Sequence, residues 1–250
     1  MNFSNFLQLG TLVLASLVLI AEAGPAKGKS QCYLKRLDLM FVLDTSYSLT
    51  PEDFKQLKTF ANAIIKGLRE QGTKLDVGVV KYGATAVVEV DLDNNLSRPE
   101  LQKAINDITH DAEFGTNTHL GLNLARLELS EKTTCTCGSP KGIVLLTDGF
   151  PSYASSAFLE ARVARELGYH IFVVAMGEDS NFQGATVENL AAMFTDGDKR
   201  RVDRVMKASE LGSFVDVVVK KMCGDYDQKR STPPVPMTQK YYEKEWPLFS

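Results

Sequence analysis

Three short runs of the chain are apolar: residues 37–43 (LDLMFVL), 142–146 (GIVLL) and 171–176 (IFVVAM). Short apolar runs of this kind are the mark of strands buried on both faces. Residues 75–82 (LDVGVVKY) and 86–90 (AVVEV) form two further strands. Only Gly83, Ala84 and Thr85 separate them, which is short enough for a hairpin. A weaker strand covers residues 202–206. Helical patterns fill the intervals. Thr50 caps one helix, Pro51 suits its first turn, and Glu52 and Asp53 favour its positive end. Phe54, Leu57, Ile64 and Leu68 then recur on one face. Residues 98–108 read as a helix. Leu122, Ala125 and Leu129 mark the next, Leu159, Val163 and Leu167 another, and residues 214–222 close the block. Alternating strands and helices predict an α/β doubly wound domain. Its six-stranded sheet is mainly parallel, with one antiparallel edge strand and helices on both faces. Such sheets bind ligands beyond the carboxyl ends of their strands, so the loops after Leu43 and Leu146 carry the interest.

The ends have a different character. Residues 12–20 (LVLASLVLI) precede Ala21-Glu22-Ala23, an A-x-A pattern, which predicts a signal peptide over 1–23. An uncleaved signal anchor is the other reading, but a span needs about 20 apolar residues. No other stretch suits a membrane span. A short leader at 24–36, a domain at 37–223 and a flexible tail at 224–250 complete the organisation. The tail holds Pro233, Pro234 and Pro236, then Tyr241, Tyr242 and Trp246. It reads as an unstructured extension or as a partner-docking peptide that uses its aromatics.

Composition narrows the functional classes. The net charge of −3 offers no basic stripe for nucleic acid. Four cysteines (Cys32, Cys135, Cys137 and Cys223) suit disulfides in a secreted chain, whereas the C-x-C spacing suits zinc poorly. Asn95-Leu96-Ser97 is a glycosylation sequon in a polar stretch, making Asn95 a surface-glycan candidate.

The candidate chemistry lies in the loops. Asp44-x-Ser46-x-Ser48 follows the first buried strand, Thr147-Asp148-Gly149 follows the second, and Thr116 lies in the loop between. Two carboxylates and several hydroxyls are hard oxygen ligands, suited to Mg²⁺ or Mn²⁺. Asp44, Ser46, Ser48, Thr116 and Asp148 together resemble the metal-ion-dependent adhesion site of the von Willebrand factor type A domain. The resemblance extends over residues 37–223, with the family's element order. The resemblance is to matrilin-like and collagen VI-like members. Thr45 and Tyr47 stand where the family commonly has glycine.

The resemblance implies roles. Ser46 and Ser48 would bind the cation directly, Thr116 directly or through water, and Asp44 and Asp148 directly or through bridging water. One position would stay open for a partner's Glu or Asp carboxylate, with Tyr47 and His119 at the rim. The expected partner is an extracellular matrix protein, with collagen a candidate. Secreted relatives close the domain with a terminal disulfide, which implies Cys32–Cys223. Cys135 and Cys137 either bond locally or pair between molecules to give an oligomer. Catalysis is not expected. Position 46 is Ser, where a phosphohydrolase of this layout wants a second carboxylate, and no P-loop, dinucleotide loop or nucleophile elbow occurs. The alternative is a structural or humoral module whose metal site is not used for binding.

Overall fold

The computed structural model describes residues 34–132, 138–177 and 185–228. The expected signal peptide, Cys32, Cys135, Cys137 and everything after Gln228 lie outside the described residues. Six strands form one sheet: β1 (Arg36–Asp44), β2 (Lys74–Tyr82), β3 (Ala86–Val90), β4 (Lys141–Thr147), β5 (His170–Met176) and β6 (Val202–Val205). Their order is β3-β2-β1-β4-β5-β6, and only β3 runs antiparallel to its neighbour. The helices are α1 (Pro51–Glu70), α2 (Arg98–Asp107), α3 (Thr118–Glu131), α4 (Ala154–Glu166), α5 (Val187–Phe194) and α6 (Leu211–Gln228).

The central strand shows why its sequence is apolar at nearly every position. Leu37, Leu39, Phe41 and Leu43 enter the core layer shared with α1, α2 and α6. Met40 and Val42 enter the opposite layer, shared with α3, α4 and α5. Successive side chains of a strand point to opposite faces, and here both faces are covered. At the start of α1 the Thr50 hydroxyl accepts from the Asp53 amide at 3.1 Å, while the Asp53 carboxylate accepts from the Thr50 amide at 3.2 Å. This capping box starts the helix just after the Ser46–Ser48 turn and fixes where that turn ends.

Two helices depart from the sequence expectation. In α4 the buried row is Ala154, Ala157, Ala161 and Ala164, while Leu159 and Leu167 are more than half exposed. Small side chains let α4 sit close to the sheet and to α3, and a leucine row on that face would not fit. The last helix starts at Leu211 and continues past Cys223 to Gln228. Its final turn is held on the sheet. The Tyr226 ring stacks on His170 with centroids 4.3 Å apart, and its hydroxyl donates to the Lys141 carbonyl at 3.1 Å. Asp225 contacts His170 Nδ1 and accepts from the Arg201 guanidinium at 2.9 Å. Gly142 makes room, since a Cβ there would lie 2.5 Å from the Tyr226 hydroxyl. The carboxyl end of α6 therefore packs at the amino-terminal ends of β4 and β5.

Candidate metal centre

The candidate site lies at the opposite, carboxyl edge of the sheet, where β1 and β4 end side by side. Leu43 pairs with Leu146, so the next residues, Asp44 and Thr147, leave the sheet together. On the other side, Asp44 pairs with Tyr82, the last residue of β2. Three donors hold the Asp44 carboxylate. The Ser46 amide donates to Oδ1 at 2.9 Å, and the Tyr82 and Thr147 hydroxyls donate to Oδ2 at 3.1 and 2.7 Å. The Ser46 and Ser48 hydroxyl oxygens lie 3.1 Å apart, and Ser48 donates to Asp148 Oδ1 at 2.9 Å. One chain of oxygens thus runs from the β1 loop to the β4 loop.

Thr116 joins from the loop before α3. Its amide donates to the Ser152 hydroxyl at 3.0 Å, and its carbonyl accepts from the Ser152 amide at 3.0 Å. Ser152 lies four residues after Asp148, so these bonds tie the Thr116 loop to the Asp148 loop. The Tyr47 amide donates to the Glu113 carbonyl at 2.9 Å, which ties the serine turn to that same loop. Gly121 seats α3 against the sheet here. A Cβ at that position would come within 2.8 Å of Val42 and 3.0 Å of Tyr82.

Electrostatics distinguishes the place. Asp44 is wholly buried and Asp148 is 6% exposed, yet neither makes an ion pair among the described residues. Burial raises the Asp44 carboxyl above its ordinary range, against the pull of its hydrogen bonds. Asp148 is pushed up to about 7, first by burial and then by the charge of Asp44. Tyr82 is held well above its usual value by the same two causes, in the same order. Two buried carboxylates, one of them raised further by the charge of the other, are short of positive charge. The described residues hold no cluster of three or more His, Cys, Asp and Glu side chains, so thiolate or imidazole chemistry has no donor set among them. Carboxylate and hydroxyl oxygens converging at an anionic edge fit a hard divalent cation.

The rim is aromatic. Tyr47, 63% exposed, stacks on Phe114, 79% exposed, with ring centroids 4.7 Å apart and planes 18° from parallel. His119 meets Tyr153 edge to face at 5.4 Å, and Tyr153 is also exposed. Beside Asp148 a groove of about 350 Å³ is lined by Ser48, Glu52, Asp53, Gln56, Met206 and Lys207. Sequence reasoning picks out Tyr47 and His119 but misses Phe114, Tyr153 and Tyr82, and gives no role to Thr147. The signal for the last two was position: each ends a strand that flanks β1. Asn95 is exposed between β3 and α2. Cys223 is buried and disulfide-bonded, and its partner lies outside the described residues.

The von Willebrand factor type A domain model matches residues 38–217. The chain belongs to that family, and its six-stranded sheet has the family's architecture. Matrilin-2 of Mus musculus is 29% identical over 199 residues, covering 78% of this chain and 20% of that protein. The human collagen alpha-6(VI) chain is 27% identical over 205 residues, covering 76% of this chain and 9% of that one. The chain thus spans only a fraction of the length of these relatives. Among solved structures, proximal thread matrix protein 1 from the mussel byssus superposes with a TM-score of 0.65 at 19% identity, covering 77% of this chain and 49% of that one. A second form of the same mussel protein, solved with zinc in its MIDAS motif, gives 0.64 at 23% identity, covering 76% and 46%. With its matrilin and collagen VI relatives, this chain is a matrilin-like protein of the extracellular matrix. No helix among the described residues is long and apolar enough to cross a membrane.

Proposed function

We propose that this protein is a secreted adhesion module that binds another matrix protein through a divalent cation, Mg²⁺ or Mn²⁺. Ser46, Ser48 and Thr116 would hold the ion, with Asp44 and Asp148 direct or water-bridged. The supporting observation is the oxygen chain Ser46–Ser48–Asp148 beside the buried Asp44 carboxylate, which makes no ion pair among the described residues. A cation bound there supplies a positive centre that an external carboxylate can complete.

The chain's own residues do the rest. Tyr82, Thr147 and the Ser46 amide orient Asp44 and take up much of its hydrogen-bonding capacity. Neutral hydroxyls, rather than further carboxylates, would face the ion, which would leave it an appetite for an anionic oxygen. Tyr47 and Phe114 present an apolar ledge at the mouth, which shelters an incoming Glu or Asp from water and strengthens its contact. A collagen is one candidate partner.

The same arrangement argues for binding without turnover. Ser46 stands where a metal-dependent phosphohydrolase would carry a second carboxylate. The disulfide at Cys223, paired with Cys32 in this proposal, would anchor the last helix and make the affinity constitutive.

Capture from an extracellular-matrix extract tests the reading. The secreted chain should retain a partner in Mg²⁺ and release it in EDTA, and Asp148→Ala should retain nothing in either. Partners that survive both EDTA and the substitution would mean that the metal site is not the working surface.

A further inference from the structure

We propose that the metal pole of one molecule also receives the C-terminal segment of a second copy, so that the protein associates head to tail in a metal-dependent way. The inference rests on the metal-site reading above and adds the identity of an occupant. Its basis is a match of chemistry and of polarity.

The chemistry concerns the rim. Three aromatic rings there, Tyr47, Phe114 and Tyr153, are each at least 60% exposed. Tyr47 and Phe114 are pre-stacked, which fixes a flat apolar ledge within one residue of Ser46 and Ser48. A fixed, exposed aromatic pair beside a carboxylate-seeking centre suits a ligand carrying a carboxylate among aromatic side chains. The chain carries such a segment. Residues 241–249 read YYEKEWPLF, with Glu243 and Glu245 between Tyr241, Tyr242, Trp246 and Phe249.

The polarity concerns α6. Its last turn packs at the amino-terminal ends of β4 and β5, through Tyr226 to Lys141 and His170. The metal pole lies at the other ends of the same strands, one strand length away, about 23 Å for the seven residues of β4. The end of α6 at Gln228 therefore lies at the pole opposite the site. Glu243 follows Gln228 by 15 residues, a reach of up to about 50 Å. Pro233, Pro234 and Pro236 fall within that reach, and a proline-rich stretch serves better as a spacer than as a reversal. In this proposal the segment meets the metal pole of the next molecule rather than its own. Such a contact joins two different surfaces, so it repeats and can build an open chain.

The test uses the secreted chain, including its C-terminal segment, in analytical ultracentrifugation over a range of concentrations. In Mg²⁺ the average mass should rise with concentration, and EDTA should return it to monomer. Glu243→Gln with Glu245→Gln should stay monomeric in Mg²⁺ while still taking up Mg²⁺ in calorimetry. Phe114→Ala should need about tenfold more protein to associate. A synthetic peptide of residues 238–250 should dissociate the wild-type assembly. Trp246 is the chain's only tryptophan, so its fluorescence should change with Mg²⁺ in step with the mass. Monomer mass at every concentration despite Mg²⁺ uptake, or undiminished association of the double variant, would overturn this proposal alone. A wild type that takes up no Mg²⁺ would overturn the metal-site reading as well.

Discussion

The Thr147 hydroxyl donates to Asp44 Oδ2 across 2.7 Å and joins the end of β4 to the end of β1. Neither residue need touch a partner for this bond to matter. It fixes which face Asp44 turns toward the serine turn, and Thr147 precedes Asp148 in the chain. Thr147→Val keeps the shape and removes the donor. Hydrogen bonds behind metal ligands are typically worth 10- to 100-fold in affinity. Thr147→Val should weaken Mg²⁺ binding by about that factor in calorimetry, with the fold retained by circular dichroism. Unchanged affinity would show that Asp44 is oriented by other contacts.

The raised carboxyl of Asp148 makes a pH prediction with a definite sign. In the metal-free protein it titrates near 7, far above its ordinary value of 3.8. The folded state then holds a proton that the unfolded chain has already lost, so this group's contribution to stability falls as pH rises toward and through 7. A cation competes for the same oxygen. Mg²⁺ affinity should therefore drop about tenfold from pH 8 to pH 6, with proton release on binding near pH 6. Calorimetry in buffers of different ionisation enthalpy counts those protons. Affinity that is flat across this range would mean that Asp148 is already ionised without metal.

Removing that charge should separate stability from binding. Asp148→Asn relieves the repulsion with Asp44 and keeps the volume. In EDTA at pH 8 its melting temperature should equal or exceed that of wild type. In Mg²⁺ the wild type should melt higher than in EDTA, and the variant should not move. A variant less stable than wild type in EDTA would show that the carboxylate is a structural partner rather than a metal ligand.

The fold was legible because β1, β4 and β5 are buried on both faces, and covered strands show as continuous apolar runs such as residues 142–146. The candidate residues Asp44, Ser46, Ser48 and Asp148 stand out in the sequence because they cluster directly after those runs. The buried face of α4 was not, since Leu159 and Leu167 have the spacing of a core stripe while the close approach of α4 to its neighbours selects the alanine row instead. The extension of α6 to Gln228 was hidden for a related reason. Asp225 and Tyr226 read as polar, and their burial depends on His170, Arg201 and Lys141, which are distant in sequence. Phe114 and Tyr153 were missed because an exposed aromatic in a loop has no periodic signature.

Gly121 carries a prediction about stability rather than chemistry. Its missing side chain lets α3 rest on Val42 and Tyr82. Gly121→Val would force α3 away from the sheet and disturb the donor to Asp44. Overpacking of this kind costs about 1–3 kcal/mol. Chemical denaturation should show that loss, together with weaker Mg²⁺ binding. Full stability in the variant would mean that α3 is free to shift.

The central claim is that the edge formed by Ser46, Ser48, Thr116 and Asp148 holds a divalent cation with a position open to an outside carboxylate. Crystals grown with Mn²⁺ test it most directly, because the metal's anomalous signal locates it without reference to any partner. The account predicts an anomalous peak bounded by the Ser46 and Ser48 hydroxyl oxygens, beside Asp148. Its outward position should be filled by water or by a neighbouring molecule's carboxylate. Crystals that hold Mn²⁺ elsewhere, or show this edge without metal at millimolar concentrations, would contradict it.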